Sequence, residues 1–224
     1  MVSRSPSSIP VSTPGHPHIC APTHSVFFDP DETNPSCEDI LGHGTAVTAA
    51  IQEKAPHADY YILKLFETGL SATSTRLIRA LLWTIDHRMD VINLSLGSRN
   101  LDHRSAFEGL VRRAGAEGIL LVAARYSEDA PVLPGMLDGV ISVDVDWNLP
   151  RDEYRISYAG GSPICYASGF PRPLPEVPVK RNLSGISFAV ANMTGFVARV
   201  CEGLEERSLD NVMSALTAGS GGVR

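Results

Sequence analysis

Paired cysteine motifs, an excess of positive charge and membrane-length apolar runs are all missing from this 224-residue chain. Each absence removes a class of function. A net charge of −6 argues against nucleic acid or an anionic membrane surface as the main partner. An apolar run such as Gly118-Ile119-Leu120-Leu121-Val122-Ala123-Ala124 has the length of a buried strand, well short of the roughly 20 residues that span a bilayer. The opening residues Met1-Val2-Ser3-Arg4-Ser5-Pro6 lack the apolar core of a secretory signal, so a cytoplasmic location is expected. The four cysteines, Cys20, Cys37, Cys165 and Cys201, are scattered and are expected to be free thiols. His16, His18 and Cys20 alternate, but no second cluster closes a tetrahedral site around them. Neither a metal nor a cofactor is expected.

What is present reads as alternating strands and helices. Strand character lies at Asp59–Phe66, Asp90–Gly97, Ile119–Ala123, Val140–Val143 and Ile164–Ala167. Helices are expected over Gly44–Glu53, from Ser74 with Leu77, Ile78, Leu81, Leu82 and Ile85 on one face, over about His103–Ala116, and near Ser208–Ala218. Gly169 to Lys180 carries four prolines and reads as a surface loop. This order predicts an α/β fold with a largely parallel central sheet and helices on both faces. A single domain over 1–224 is expected, with 1–8 and 219–224 flexible. In such sheets, sites form at the carboxyl ends of the strands.

Two segments carry chemistry. Ser184-Gly185-Ile186-Ser187-Phe188-Ala189 delivers a serine to the first turn of an apolar helix, where unbonded N–H groups face any developing negative charge. Gly42-His43-Gly44-Thr45 opens another helix with a histidine, the side chain that removes a proton from a serine near neutral pH. Between them, Ile92-Asn93-Leu94-Ser95-Leu96-Gly97 is a strand running into a glycine turn.

In this order, the three segments resemble the subtilisin-like serine peptidase family, and Glu32-Thr33-Asn34-Pro35 and Tyr61-Ile62-Leu63-Lys64 fit it as well. The resemblance runs from about Ile9 to the C-terminal helix. It implies a subtilisin-like three-layer fold, Ser187 as nucleophile and His43 as general base. It further implies substrate contacts at Ser95, Leu96, Gly97, Ala123 and Ala124, with extended peptide pairing along Ser95-Leu96-Gly97.

Three departures stand against the family pattern. Where the family has an aspartate at the end of its first strand, Val11-Ser12-Thr13-Pro14 offers Ser12, with Asp29 as the fallback carboxylate. Loss of the acid from a serine-protease triad costs roughly 10⁴ in kcat. Where the family has an oxyanion asparagine, Arg125-Tyr126-Ser127 offers Ser127 beside the Ser187 N–H; loss of one such donor costs roughly 10²–10³. Finally, Ala50 to Ala58 leaves no room for the loop that wraps calcium in many members. The expected function is a serine endopeptidase of narrow specificity that cuts a precursor or leader peptide. The alternative is a pseudopeptidase that keeps the groove as a peptide-binding or partner subunit.

Overall fold

The structure is a computed structural model and describes residues 23–27, 42–65, 72–173 and 182–220. In chain order its main elements are β1 (Thr23–Phe27), α1 (His43–Gln52), β2 (Tyr60–Lys64), α2 (Ser74–Asp86), β3 (Val91–Leu94), α3 (Arg104–Ala116), β4 (Leu120–Ala124), β5 (Tyr126–Ser127), β6 (Ala130–Pro131), β7 (Ile141–Val145), β8 (Tyr154–Ala159), β9 (Ser162–Ala167), α4 (Ile186–Glu202) and α5 (Leu209–Gly219). Every residue of β4 is buried, as a strand covered by helices on both faces must be. The sheet order is β3-β4-β7-β9-β8, parallel except for β8 at the edge, while β1 and β2 form a separate parallel pair.

Period-two alternation sorts the sheet residues between two cores. Ile92, Leu94, Leu121 and Ala123 pack with Leu77, Leu81 and Ile85 of α2 and Phe107 and Leu110 of α3. Leu120, Val122, Ala124 and Val143 face the other way, onto Ala189, Val190, Met193 and Val197 of α4 and Val212 and Leu216 of α5. Helix α1 packs on the far side of α4 through Val47, Ala50 and Ile51 against Phe188, Ala191 and Ala198. The layers are those expected, α/β with helices on both faces.

Some expectations change. Leu82 is exposed, because the buried face of α2 runs through Ala80 and Thr84 instead. The hairpin β8–β9 turns at Gly160-Gly161, a two-residue signal between strands. Strand β8 escapes the sequence because only Ile156 along it is buried. The loop expected on the surface from Gly169 begins buried at Gly169 and Pro171; residues 174–181 lie outside the described set. The expected helix end holds nearly to Gly219, and 221–224 are not described.

Cys165 and Cys201 are free and buried, and burial pushes both thiols up, Cys165 to about 12. Cys20 and Cys37 lie outside the described residues. Among the described residues no helix is long and apolar enough to cross a membrane.

Candidate active site

The two segments singled out for chemistry sit at the starts of two packed helices. Each helix is entered by a glycine at positive φ, Gly42 at 67° before α1 and Gly185 at 153° before α4. A side chain at either position would be strained. Neither helix start has a side-chain cap; in the first turn of α4 the Phe188 N–H donates to Gly185 O at 3.1 Å, and no capping side chain covers the Ser187 N–H before it. Gly185 N donates to Gly169 O at 2.9 Å, which fixes the entry of α4 against the end of β9. His43 is the first residue of α1, and its ring lies 5.5 Å from that of Phe188, the residue after Ser187. The fold therefore brings the distant histidine and serine segments together.

Ser187 is half-buried and clamped to the end of β3. Its Oγ donates to Ser95 O at 3.1 Å, and Ser95 Oγ donates back to Ser187 O at 3.1 Å. Asn93 Nδ2 donates to Ser95 Oγ at 2.8 Å. The hydroxyl proton of Thr194, on α4, is shared between Asn93 Oδ1 at 2.9 Å and Val190 O at 2.8 Å. The loop of bonds thus returns to the helix that carries Ser187. Alternation explains it: with Ile92 and Leu94 in the α2–α3 core, Asn93 and Ser95 are left facing α4. Neither Asn93 nor Thr194 stood out in sequence, although the Asn93–Ser95 spacing on a strand was a usable signal.

Thr194→Val keeps the shape of the side chain and removes the hydroxyl that bonds Asn93 and the Val190 carbonyl. We expect a stability loss of roughly 1–2 kcal/mol by urea unfolding, the cost of leaving Asn93 Oδ1 without its donor. Asn93→Ala frees Ser95 as well. We expect labelling of Ser187 by a fluorophosphonate to slow roughly 10²-fold, because ångström-scale misplacement of a reacting group costs about that much. An unchanged labelling rate would remove Asn93 from the positioning of Ser187.

The other expected site residues fall as follows. Ser12 and Asp29 lie outside the described residues. Ser127 is on β5, just past the end of β4; its carbonyl accepts from Arg99 Nη2 at 2.9 Å, and no hydrogen bond joins its hydroxyl to Ser187. Ser95, Leu96 and Gly97 are half-buried along the end of β3. Ala123 and Ala124 turn their side chains into the two cores, so only their backbone is left to offer a substrate, and Gly135 abuts the Ala124 carbonyl. Among the described residues no cluster of His, Cys, Asp and Glu could hold a metal.

Behind the site, α1 and α4 are joined by a buried cation. Lys54 Nζ donates to Asn192 Oδ1 at 2.7 Å and Glu53 Oε2 at 3.3 Å, and lies 5.3 Å from the centre of the Phe196 ring. Asn192 in turn donates to the carbonyls of Ser168 and Phe170. Arg151 pairs with Glu53 from the β7–β8 connection. Burial pushes Lys54 down from 10.5 to about 8, opposed by the Glu53 charge. Between these two values the unfolded chain holds the Lys54 proton and the folded chain does not, so this residue makes stability rise with pH. Relative to Lys54→Met, the wild type should gain roughly 3 kcal/mol between pH 8 and 10.5 in denaturant unfolding. A pH-independent difference would contradict the buried cation.

The chain is similar to known proteins. The model of the subtilase family, Peptidase_S8, matches residues 15–127. A thermostable alkaline protease of Halalkalibacterium halodurans is 29% identical over 187 residues, covering 75% of this chain and 49% of that protein. The chain thus spans about half the length of that relative. Among solved structures, a lanthipeptide protease superposes with TM-score 0.62 at 16% identity, over 84% of this chain and 70% of its own. The prenylagaramide maturation protease PagA gives 0.57 at 20% identity, over 91% and 83%. At those identities the likeness to the structures is one of fold. The family match supplies the rest: half of the chain lies within it, including the His43 helix and the β3 segment to which Ser187 is clamped, and the chain belongs to the subtilase family.

Proposed function

We propose that this chain is a serine endopeptidase of narrow specificity that cuts one extended precursor peptide, with Ser187 as nucleophile and His43 as base. The observation that carries the reading is the meeting of two helix starts, His43 on α1 against the residue beside Ser187 on α4. Ser187 Oγ attacks the scissile carbonyl carbon as its proton passes to His43. The oxygen of the tetrahedral intermediate gains its charge beside the Ser187 N–H at the start of α4, with Ser127 offered as a side-chain donor. Collapse expels the amine, which takes the proton from His43, and water then releases the acyl group by the same route.

Narrow specificity follows from the departures at Ser12 and Ser127. A weakened centre gains rate only when binding energy from remote contacts holds the right peptide in place. Extended peptide would add along Ser95-Leu96-Gly97 as a strand. Processing of a precursor is supported by the lanthipeptide and maturation proteases among the similar folds. The test is a fluorophosphonate probe followed by peptide mapping, with the adduct expected on Ser187. The Ser187 hydroxyl, turned toward the Ser95 carbonyl, favours a second reading in which the groove binds peptide without turnover. That reading predicts no adduct and retained peptide binding.

A further inference from the structure

Arg125 follows the last residue of β4 at the carboxyl end of the sheet. The last register pair between β3 and β4 is Leu94 with Ala123. Beyond it no register pair joins Ser95-Leu96-Gly97 to Ala124-Arg125-Tyr126. The segment Val132-Leu133 runs between them: Val132 N donates to Arg125 O at 3.0 Å, and Leu133 pairs with Ser98. Arg125 therefore lies across Val132-Leu133 from the segment proposed to hold extended peptide.

Among the described residues its charge has no counter-ion. The Arg125 Nε is sealed from solvent and has no hydrogen-bond partner, and the guanidinium lies 5.6 Å from the centre of the Tyr126 ring. Leaving such a group unpaired costs free energy. Two carboxylates lie within four residues, yet neither takes it. Glu128 pairs with Arg99 at 2.7 Å, and no described contact reaches Arg125 from Asp129. Arg151 also has an Nε without a partner, but its terminal nitrogens pair with Glu53. A guanidinium that is partly sealed, stacked and unpaired beside a peptide groove is preorganised for a carboxylate, which it can meet with two parallel hydrogen bonds.

We propose that Arg125 selects an extended peptide with an aspartate or glutamate at the position that faces it. This rests on the peptide groove proposed above, but not on turnover. The Tyr126 ring holds the guanidinium in place through its face, and the peptide carboxylate supplies the missing anion.

The experiment uses Ser187→Ala protein, so that binding is read without cleavage, and a random octapeptide library whose bound fraction is sequenced. Acidic residues should be enriched about tenfold or more over Asn and Gln at one position, as expected for a charge-assisted pair. Arg125→Gln in the same background should abolish the enrichment. Arg79→Gln, an exposed change of equal charge on α2, should leave it intact. The proposal is overturned if no peptide binds, if no acidic position emerges, or if both arginine variants lose it equally. Fluorophosphonate labelling of the wild type reports on the nucleophile separately, so a silent Ser187 with acid-selective binding would sink the peptidase reading and leave this one standing.

Discussion

Ser12→Asp is expected to raise kcat for peptide hydrolysis by roughly 10⁴, and Ser187→Ala in that background to remove the whole gain. The imidazolium formed when His43 takes the serine proton needs a negative charge behind it, and the hydroxyl of Ser12, which we propose stands in for the family acid, supplies none. In subtilisin, a relative of this chain, removing the aspartate alone costs about 3 × 10⁴, while removing the serine or histidine costs about 2 × 10⁶. Their quotient sets the scale for a centre that starts without its acid. Here Ser187→Ala or His43→Ala should each cost only about 10², and the double variant no more, because the pair works as one unit. In the Ser12→Asp background the same alanine changes should cost about 10⁶. Single-turnover rates on a cleaved precursor peptide separate these outcomes. A fall near 10⁶ in the wild type would show that a carboxylate, Asp29 among the candidates, already stands behind His43.

The site was legible where it depends on local geometry. A glycine ahead of a helix that begins with a chemically useful residue is written in consecutive letters, and both Gly42-His43 and Gly185-Ile186-Ser187 fold as those letters indicate. The parallel sheet was legible for a similar reason, since an all-apolar run such as Leu120–Ala124 has to be covered on both faces. What the sequence hid is non-local. Thr194 reaches Asn93 across 101 positions, and Lys54 reaches Asn192 across 138. A lysine just past an alanine-rich helix reads as a solvated end, and only the packing of α4 over it makes it a buried cation. Strand β8 was hidden because an edge strand needs few apolar residues. Arg125 was hidden differently: its interest lies in a partner it lacks among the described residues.

Gly195→Val should cost roughly 3 kcal/mol of stability and, at temperatures where the variant remains folded, slow labelling of Ser187 about 10²-fold. Gly195 lies where α4 crosses the end of α1. A Cβ there would sit 2.9 Å from both Cβ and Cδ of Lys54 and 3.2 Å from the carbonyl oxygen of Ile51. Lys54 Cβ is fixed to the backbone and Ile51 O is part of it, so no rotamer change relieves the contact. The helices have to separate, and strain from such overpacking is typically about 1–3 kcal/mol, at the upper end when backbone must move. The same movement carries His43, at the start of α1, away from Ser187, at the start of α4. Displacement on the ångström scale costs about two orders of magnitude in a proton-transfer pair. Leu216→Ala supplies the comparison. That side chain is fully buried in the α4–α5 core and its loss costs about 2–5 kcal/mol, but it is not part of the cluster that joins α1 to α4. If Leu216→Ala slows labelling as much as Gly195→Val at matched stability, loss of general stability explains both. If only Gly195→Val slows it, the spacing of the two helices is what keeps the histidine within reach of the serine.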